Sequence, residues 1–202
     1  MITHENGLFH LKNENLSLLL RVTRYGLLEQ LHFGAPVEDT DVDALACRPG
    51  LGWGCSILLD AEDTASCLDT MMLEWSGSGR GDYRESPIAL DMATDFVYQS
   101  HVIHQGAVAM ACGLPQAQDI EETLEILLAH PGGLQLKLFY SVVGEVLLRR
   151  AVLENGSQEA VLLHKLMSFS VDLPGSYEIT TFDGSWDAEM RKSKVTVGAA
   201  KV

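Results

Sequence analysis

Catalysis by side chains needs acids, bases, nucleophiles or metal ligands brought together, and this sequence offers some of each. Its 28 acidic residues are the largest reservoir. Two carboxylates flanking a bond are the equipment of sugar cleavage. Glu121, Glu122 and Glu125 flank a strand-like stretch and read as a solvated face. Asp60, Glu62 and Asp63 lie in loop text. No residue of this chain is therefore assigned a catalytic role. His101 and His104 are three apart, which on a helix would place both on one face. The surrounding text is a strand, where that spacing points them to opposite sides, so no metal site is expected. There is no Gly-x-Ser-x-Gly elbow, and Gly77-Ser78-Gly79 reads as a turn. Cys47, Cys55, Cys67 and Cys112 form no Cys-x-x-Cys pair and have no adjacent base. They read as free thiols of a cytoplasmic protein. No cofactor is implied.

Binding residues are better represented. Aromatic rings in loops stack on the apolar faces of sugars. Trp53 stands among Gly50, Gly52 and Gly54 and is the candidate for a sugar contact, weighed against a packing or interface role. Trp75 lies in the same loop text. Trp186, within Gly184-Ser185-Trp186-Asp187-Ala188-Glu189, is weighed between core packing at a strand end and an interface. Asp82 and Arg84 are two apart in extended backbone, so their side chains point the same way. They can tie to each other or to loop carbonyls, or meet another domain.

The bulk properties exclude several classes of partner. The formal charge is −14, from 28 acidic and 14 basic residues. Nucleic-acid binding needs clustered Lys and Arg, and Arg191-Lys192-Ser193-Lys194 is the nearest approach. An acidic surface suits a neutral substrate such as a sugar. The start, Met1-Ile2-Thr3-His4-Glu5-Asn6, lacks the basic and apolar regions of a signal peptide. No apolar run approaches the ~20 residues of a membrane helix. Neither nucleic acid nor membrane is an expected partner.

The elements that must position these residues are short strands. Period-two apolar stretches punctuated by Gly, Pro, Asn and Asp predict strands at 8–11, 16–22, 28–33, 88–90, 96–103, 123–129, 134–140, 145–153, 161–171 and 177–182. In the fifth, Phe96, Tyr98, Ser100 and Val102 are expected to share a face. Pro131-Gly132-Gly133 predicts a hairpin, as does Asn155-Gly156, which suits a type I′ turn. The run 161–171 is the longest strand predicted. The stretch Ala35 to Gly81 reads as one long irregular loop, a length that marks a binding or interface element. The fold class is all-β, an antiparallel sandwich.

Three segments give the chain a family likeness. They are Gly81-Asp82-Tyr83-Arg84-Glu85-Ser86-Pro87, Gly113-Leu114-Pro115 running on to Glu122-Thr123-Leu124-Glu125-Ile126, and Gly184-Ser185-Trp186. Together with Tyr25-Gly26-Leu27-Leu28, Cys67-Leu68-Asp69-Thr70 and Lys165-Leu166-Met167-Ser168, the ordered set resembles the amino-terminal β-supersandwich of glycoside hydrolase family 36. The resemblance implies that residues 1–202 are an incomplete amino-terminal sandwich, with the catalytic (β/α)8 barrel outside this chain. The full-length enzymes it resembles are retaining α-galactosidases acting on melibiose- and raffinose-type oligosaccharides, and many are tetramers. The implied partners are the barrel of the same enzyme, galactose-containing oligosaccharide through the whole enzyme, and further copies in a homo-oligomer. The implied role is packing on the barrel and support of oligomerisation. A stand-alone carbohydrate-binding sandwich and a purely structural oligomerisation domain are the alternatives. Two departures concern substrate: Glu189-Met190 where the family shows Glu-Arg, and the Gly52-Trp53-Gly54-Cys55 run where an acid for the neighbouring pocket is expected.

Overall fold

Alternating side chains decide which way each strand faces. In β7 (Glu122–Ala129), Leu124, Ile126 and Leu128 are buried while Glu125 and Leu127 lie on the other side. In β8 (Leu134–Val143), Leu134, Leu136, Leu138 and Tyr140 do the same. The computed structural model describes residues 1–38, 42–46, 59–60, 62–63, 66–78, 82, 84–110, 113, 115–173 and 175–197. Two four-stranded antiparallel sheets carry most of it. The first runs in the order β1 (Ile2–Glu5), β2 (Leu8–Lys12), β3 (Ser17–Val22) and β4 (Leu28–Gly34). The second runs β6 (Val97–Gln105), β7, β8 and β9 (Val146–Asn155). Phe9, Leu11, Leu18, Leu20 and Leu28 of the first sheet meet the inner rows of β7 and β8 in one core. Ile88, Phe96 and Trp75 complete it. Each such side chain, fully buried, stabilises the fold by about 1.5–3 kcal/mol. The fold is an all-β antiparallel sandwich, as its alternation predicts.

Two smaller pairings accompany the sandwich. β5 (Ile88–Leu90) pairs with β10 (Leu163–Leu166). β11 (Tyr177–Ser185) and β12 (Ala188–Val197) form a hairpin. The chain divides into Met1–Val171, which holds the sandwich, and Asp172–Val202, which holds the hairpin. Among the described residues helix is confined to α1 (Val42–Leu45) and a 3-10 turn at Leu68–Thr70, and no helix is long and apolar enough to cross a membrane.

Several sequence expectations are corrected. The strand expected over 161–171 is only Leu163–Leu166. Leu162, Leu163, Leu166 and Phe169 stay exposed, so among the described residues the apolar run lacks the facing layer that would extend it as a ladder. Asn155-Gly156 does not close a hairpin, because β10 pairs with β5. The Asn155 side chain instead accepts bonds from Ser157 N at 3.0 Å and Ser157 Oγ at 2.7 Å, a local turn that competes with the ladder. The hairpin signal that works is Asn6-Gly7. Both residues have positive φ, 49° and 79°, as a type I′ turn requires, and they join β1, which is absent from the predicted set, to β2. In β6 the register shifts between Tyr98 and Ser100. That bulge moves Ser100 and Val102 off the face of Tyr98 and brings His101 and Ile103 onto it, the usual result of a one-residue slip.

The long stretch after β4 is not a free loop over its described part. Leu73 bridges to Glu29 of β4. Leu68, Met71 and Leu73 form a second apolar cluster. Trp75 is 5% exposed, within the main core, so it is a packing residue and not a sugar platform.

Candidate functional site

The Gly-Asp-Tyr-Arg run is built around one arginine. Arg84 Nε and Nη2 donate to Asp82 Oδ1 and Oδ2 at 3.0 and 3.1 Å, a planar bidentate pair. The same guanidinium reaches Met71 O at 2.5 Å and Leu68 O at 3.0 Å. Arg84 N also donates to Asp82 Oδ1 at 3.0 Å. The two-residue spacing lets both side chains point one way, and the five fixed donors of a guanidinium allow it to hold a carboxylate and two carbonyls together. The pair thus pins the 3-10 turn at Leu68–Thr70 to the strand that follows. Ser86 Oγ continues the seam, 3.0 Å from Ser76 O and 2.8 Å from Ile88 O.

A second polar node lies in the core. Arg149 Nε donates to Glu74 Oε1 at 2.6 Å, and Tyr140 Oη donates to the same oxygen at 2.9 Å. Both members of the ion pair are about 95% buried. Arg149 Nη1 donates to Ser168 O, and its guanidinium lies over Trp75, 5.7 Å from the ring centre. Burial pushes the Glu74 carboxyl above its ordinary range, against the Arg149 charge and the two hydrogen bonds that favour the anion. Burial also raises the Tyr140 hydroxyl, which keeps it a donor. Sequence reading passed over this node. Its signal is Arg149-Arg150 in the middle of an alternating strand, where one of two consecutive residues must face the core.

The other buried carboxylates are held in the same way. Glu29 pairs with Arg21 at 2.9 Å. Asp63 accepts from Tyr25 Oη at 2.8 Å and pairs with Arg24, so the loop is fastened to the Tyr25-Gly26 turn. Each buried acid described is committed to an arginine, which makes these groups structural ties. No cluster of three or more His, Cys, Asp or Glu among the described residues could hold a metal ion. His101 and His104 face opposite sides of β6. His101 packs on His4 and Phe9, with ring centres 4.1 and 4.9 Å away, and His104 Nε2 bonds Glu125 at 2.6 Å. Cys67 is buried with a free thiol.

The tryptophans separate. Trp53 lies outside the described residues. Trp186 occupies the two-residue turn between β11 and β12 and is 95% exposed, so it is not packed within its own hairpin. Apolar side chains line the hairpin behind it, with Tyr177, Ile179 and Phe182 all exposed.

Comparison with known proteins gives these features a context. The profile of the glycosyl hydrolase family 36 N-terminal domain matches residues 26–202. Alpha-galactosidase AgaA of Geobacillus stearothermophilus is 30% identical over 194 residues, taking in 90% of this chain and 26% of that protein. Among solved structures, the GH36 alpha-galactosidase AgaB of Geobacillus stearothermophilus superposes with a TM-score of 0.80 at 26% identity, over 96% of this chain and 28% of that one. A substituted AgaA in complex with raffinose superposes with a TM-score of 0.81 at 27% identity, over 95% and 28%. This chain spans about a quarter of the length of the relatives it matches.

Proposed function

The chain belongs to the glycosyl hydrolase family 36 N-terminal domain family, and on that premise we propose that it is the non-catalytic amino-terminal part of a retaining α-galactosidase. The full-length enzyme would remove terminal α-galactose from melibiose- and raffinose-type oligosaccharides. This part would pack on the catalytic barrel and support a homo-oligomer, in the cytoplasm. One observation carries the reading: the match runs through nearly the whole chain yet takes in about a quarter of each α-galactosidase. The raffinose held by a relative supports the substrate class. The commitment of each described buried carboxylate to an arginine supports a scaffold role.

Within this reading Trp186 and the apolar hairpin behind it serve as a contact with the rest of the enzyme, since a tryptophan 95% exposed is a ready anchor for a pocket. The Asp82–Arg84 tie fixes the 3-10 turn at Leu68–Thr70. A stand-alone sugar-binding sandwich is the second reading, favoured by that same exposed ring. The test is the coding sequence that follows codon 202, together with kinetics of its product. The family reading expects the rest of the sandwich and a (β/α)8 barrel there. In the full-length enzyme Trp53→Ala should raise KM for raffinose about tenfold through a lost stacking contact, with Tm nearly unchanged. A stop codon there, together with glycan binding by the chain alone, would favour the second reading.

A further inference from the structure

A cleft of about 220 Å³ opens on the outer face of the second sheet. Alternation along β9 creates it: Arg149 turns inward to Glu74, so Arg150 must turn outward. Its neighbours on that face are Thr123 of β7, Phe139 and Ser141 of β8, and Leu148 of β9. The Arg150 guanidinium carbon lies over Phe139, 4.2 Å from the ring centre, and its Nη2 donates to Val108 O at 3.3 Å. The other four arginines described in Met1–Val171, Arg21, Arg24, Arg84 and Arg149, each hold a carboxylate. Arg150 holds none among the described residues, in a chain with 28 acidic and 14 basic residues. Thr123 Oγ1 donates to Gly106 O at 2.8 Å and lies 2.9 Å from Ser141 Oγ. The hydroxyl protons are thereby used within the sheet, so the side-chain donors that line the cleft are the guanidinium and the Gln116 amide, which also donates to Val108 O at 2.9 Å.

We propose that this cleft is a binding site for a small carboxylate carried on a short apolar tail. A guanidinium has five donors in a rigid fork and pairs with a carboxylate through two of them, and here one bond, to Val108 O, orients the group. Stacking on Phe139 holds the fork in place. Leu148, Ile120 and Pro115 give the walls an apolar character that suits a hydrocarbon tail. The volume equals that of about seven water molecules at ~30 Å³ each, enough for a chain of about eight heavy atoms. It is smaller than the usual pocket for a drug-sized ligand, about 300–1,000 Å³.

The test is a nuclear magnetic resonance titration of the 202-residue chain with hexanoate, using hexanamide as the uncharged control. Hexanoate should shift the amides of Ser141, Leu148 and Arg150 with a dissociation constant of about 1 mM, the range for a ligand of this size. Arg150→Gln should weaken it at least about tenfold, and Arg150→Lys, which keeps the charge and loses the fork, should fall between. An unchanged spectrum outside the cleft would certify that each variant is folded. Equal binding of hexanamide, unchanged binding by Arg150→Gln, or shifts scattered over the surface would each overturn the assignment.

Discussion

Buried charge in Met1–Val171 is organised by arginines that each answer one carboxylate. Removing one partner of a buried pair leaves the other uncompensated and costs about 3–5 kcal/mol, whereas replacing both with apolar residues of similar size is close to neutral. Arg149→Met alone should therefore lower the urea-unfolding free energy by that amount, and Glu74→Leu/Arg149→Met should recover most of it. Equal losses in the single and double variants would show that packing around Trp75 and Tyr140, not charge, dominates the node. His101 supplies a pH dependence. Burial first, and the neighbouring His4 second, hold its pKa below the ordinary histidine value. As pH falls through that value, ~6.5, the unfolded chain takes up the proton before the folded one, so stability falls with falling pH. Melting temperatures measured between about pH 7.5 and 5.5 should decline, and His101→Phe, which keeps the edge-on ring contact with Phe9, should make the decline shallower. An identical slope in the variant would assign the dependence to other groups. At this scale the sequence was only partly legible. The two-residue spacing of Asp82 and Arg84 announced a tie, while Glu74 and Arg149, 75 residues apart, could be joined only by the fold.

Strands were legible wherever alternation met a facing layer. β2, β3, β4, β7, β8 and β9 were all visible in the sequence because their inner rows fill one core. β10 was overextended because its apolar residues stay exposed, with no layer over them among the described residues. β1 and β12 went unseen, the first being four residues long and the second largely polar. The two Asn-Gly pairs show why turn signals need context. Asn6-Gly7 closes a hairpin with positive φ at both residues, whereas the Asn155 side chain captures Ser157. Gly26 offers a test of turn geometry. Its φ is +74°, and an added Cβ would lie 3.3 Å from Val97 Cβ. Gly26→Ala should cost about 1–2 kcal/mol from the left-handed backbone alone, plus the crowding against β6. Gly144→Ala, at φ +56° with open space around it, should show the backbone cost without the crowding. Equal losses at the two positions would mean that β6 yields freely at Val97.

For the molecule as a whole, the sandwich was legible because period-two patterning runs through most of the chain. The placement of Trp186 was not, since a lone aromatic beside a turn looks the same to sequence reading whether it packs inward or projects. The Trp53 segment lies outside the described residues, so its sugar contact stands as a proposal that the full-length kinetics will decide. Under the proposed function this chain is a scaffold, its described buried carboxylates each paired with an arginine, and the chemistry would reside in the rest of the enzyme. The direct measurement is hydrolysis of an aryl α-galactoside by the purified 202-residue chain, beside the full-length enzyme that the proposed function requires. No turnover is expected from the chain, and clear turnover from the full-length enzyme. Turnover that follows the purified chain and vanishes when one of its own acidic residues is replaced would contradict it.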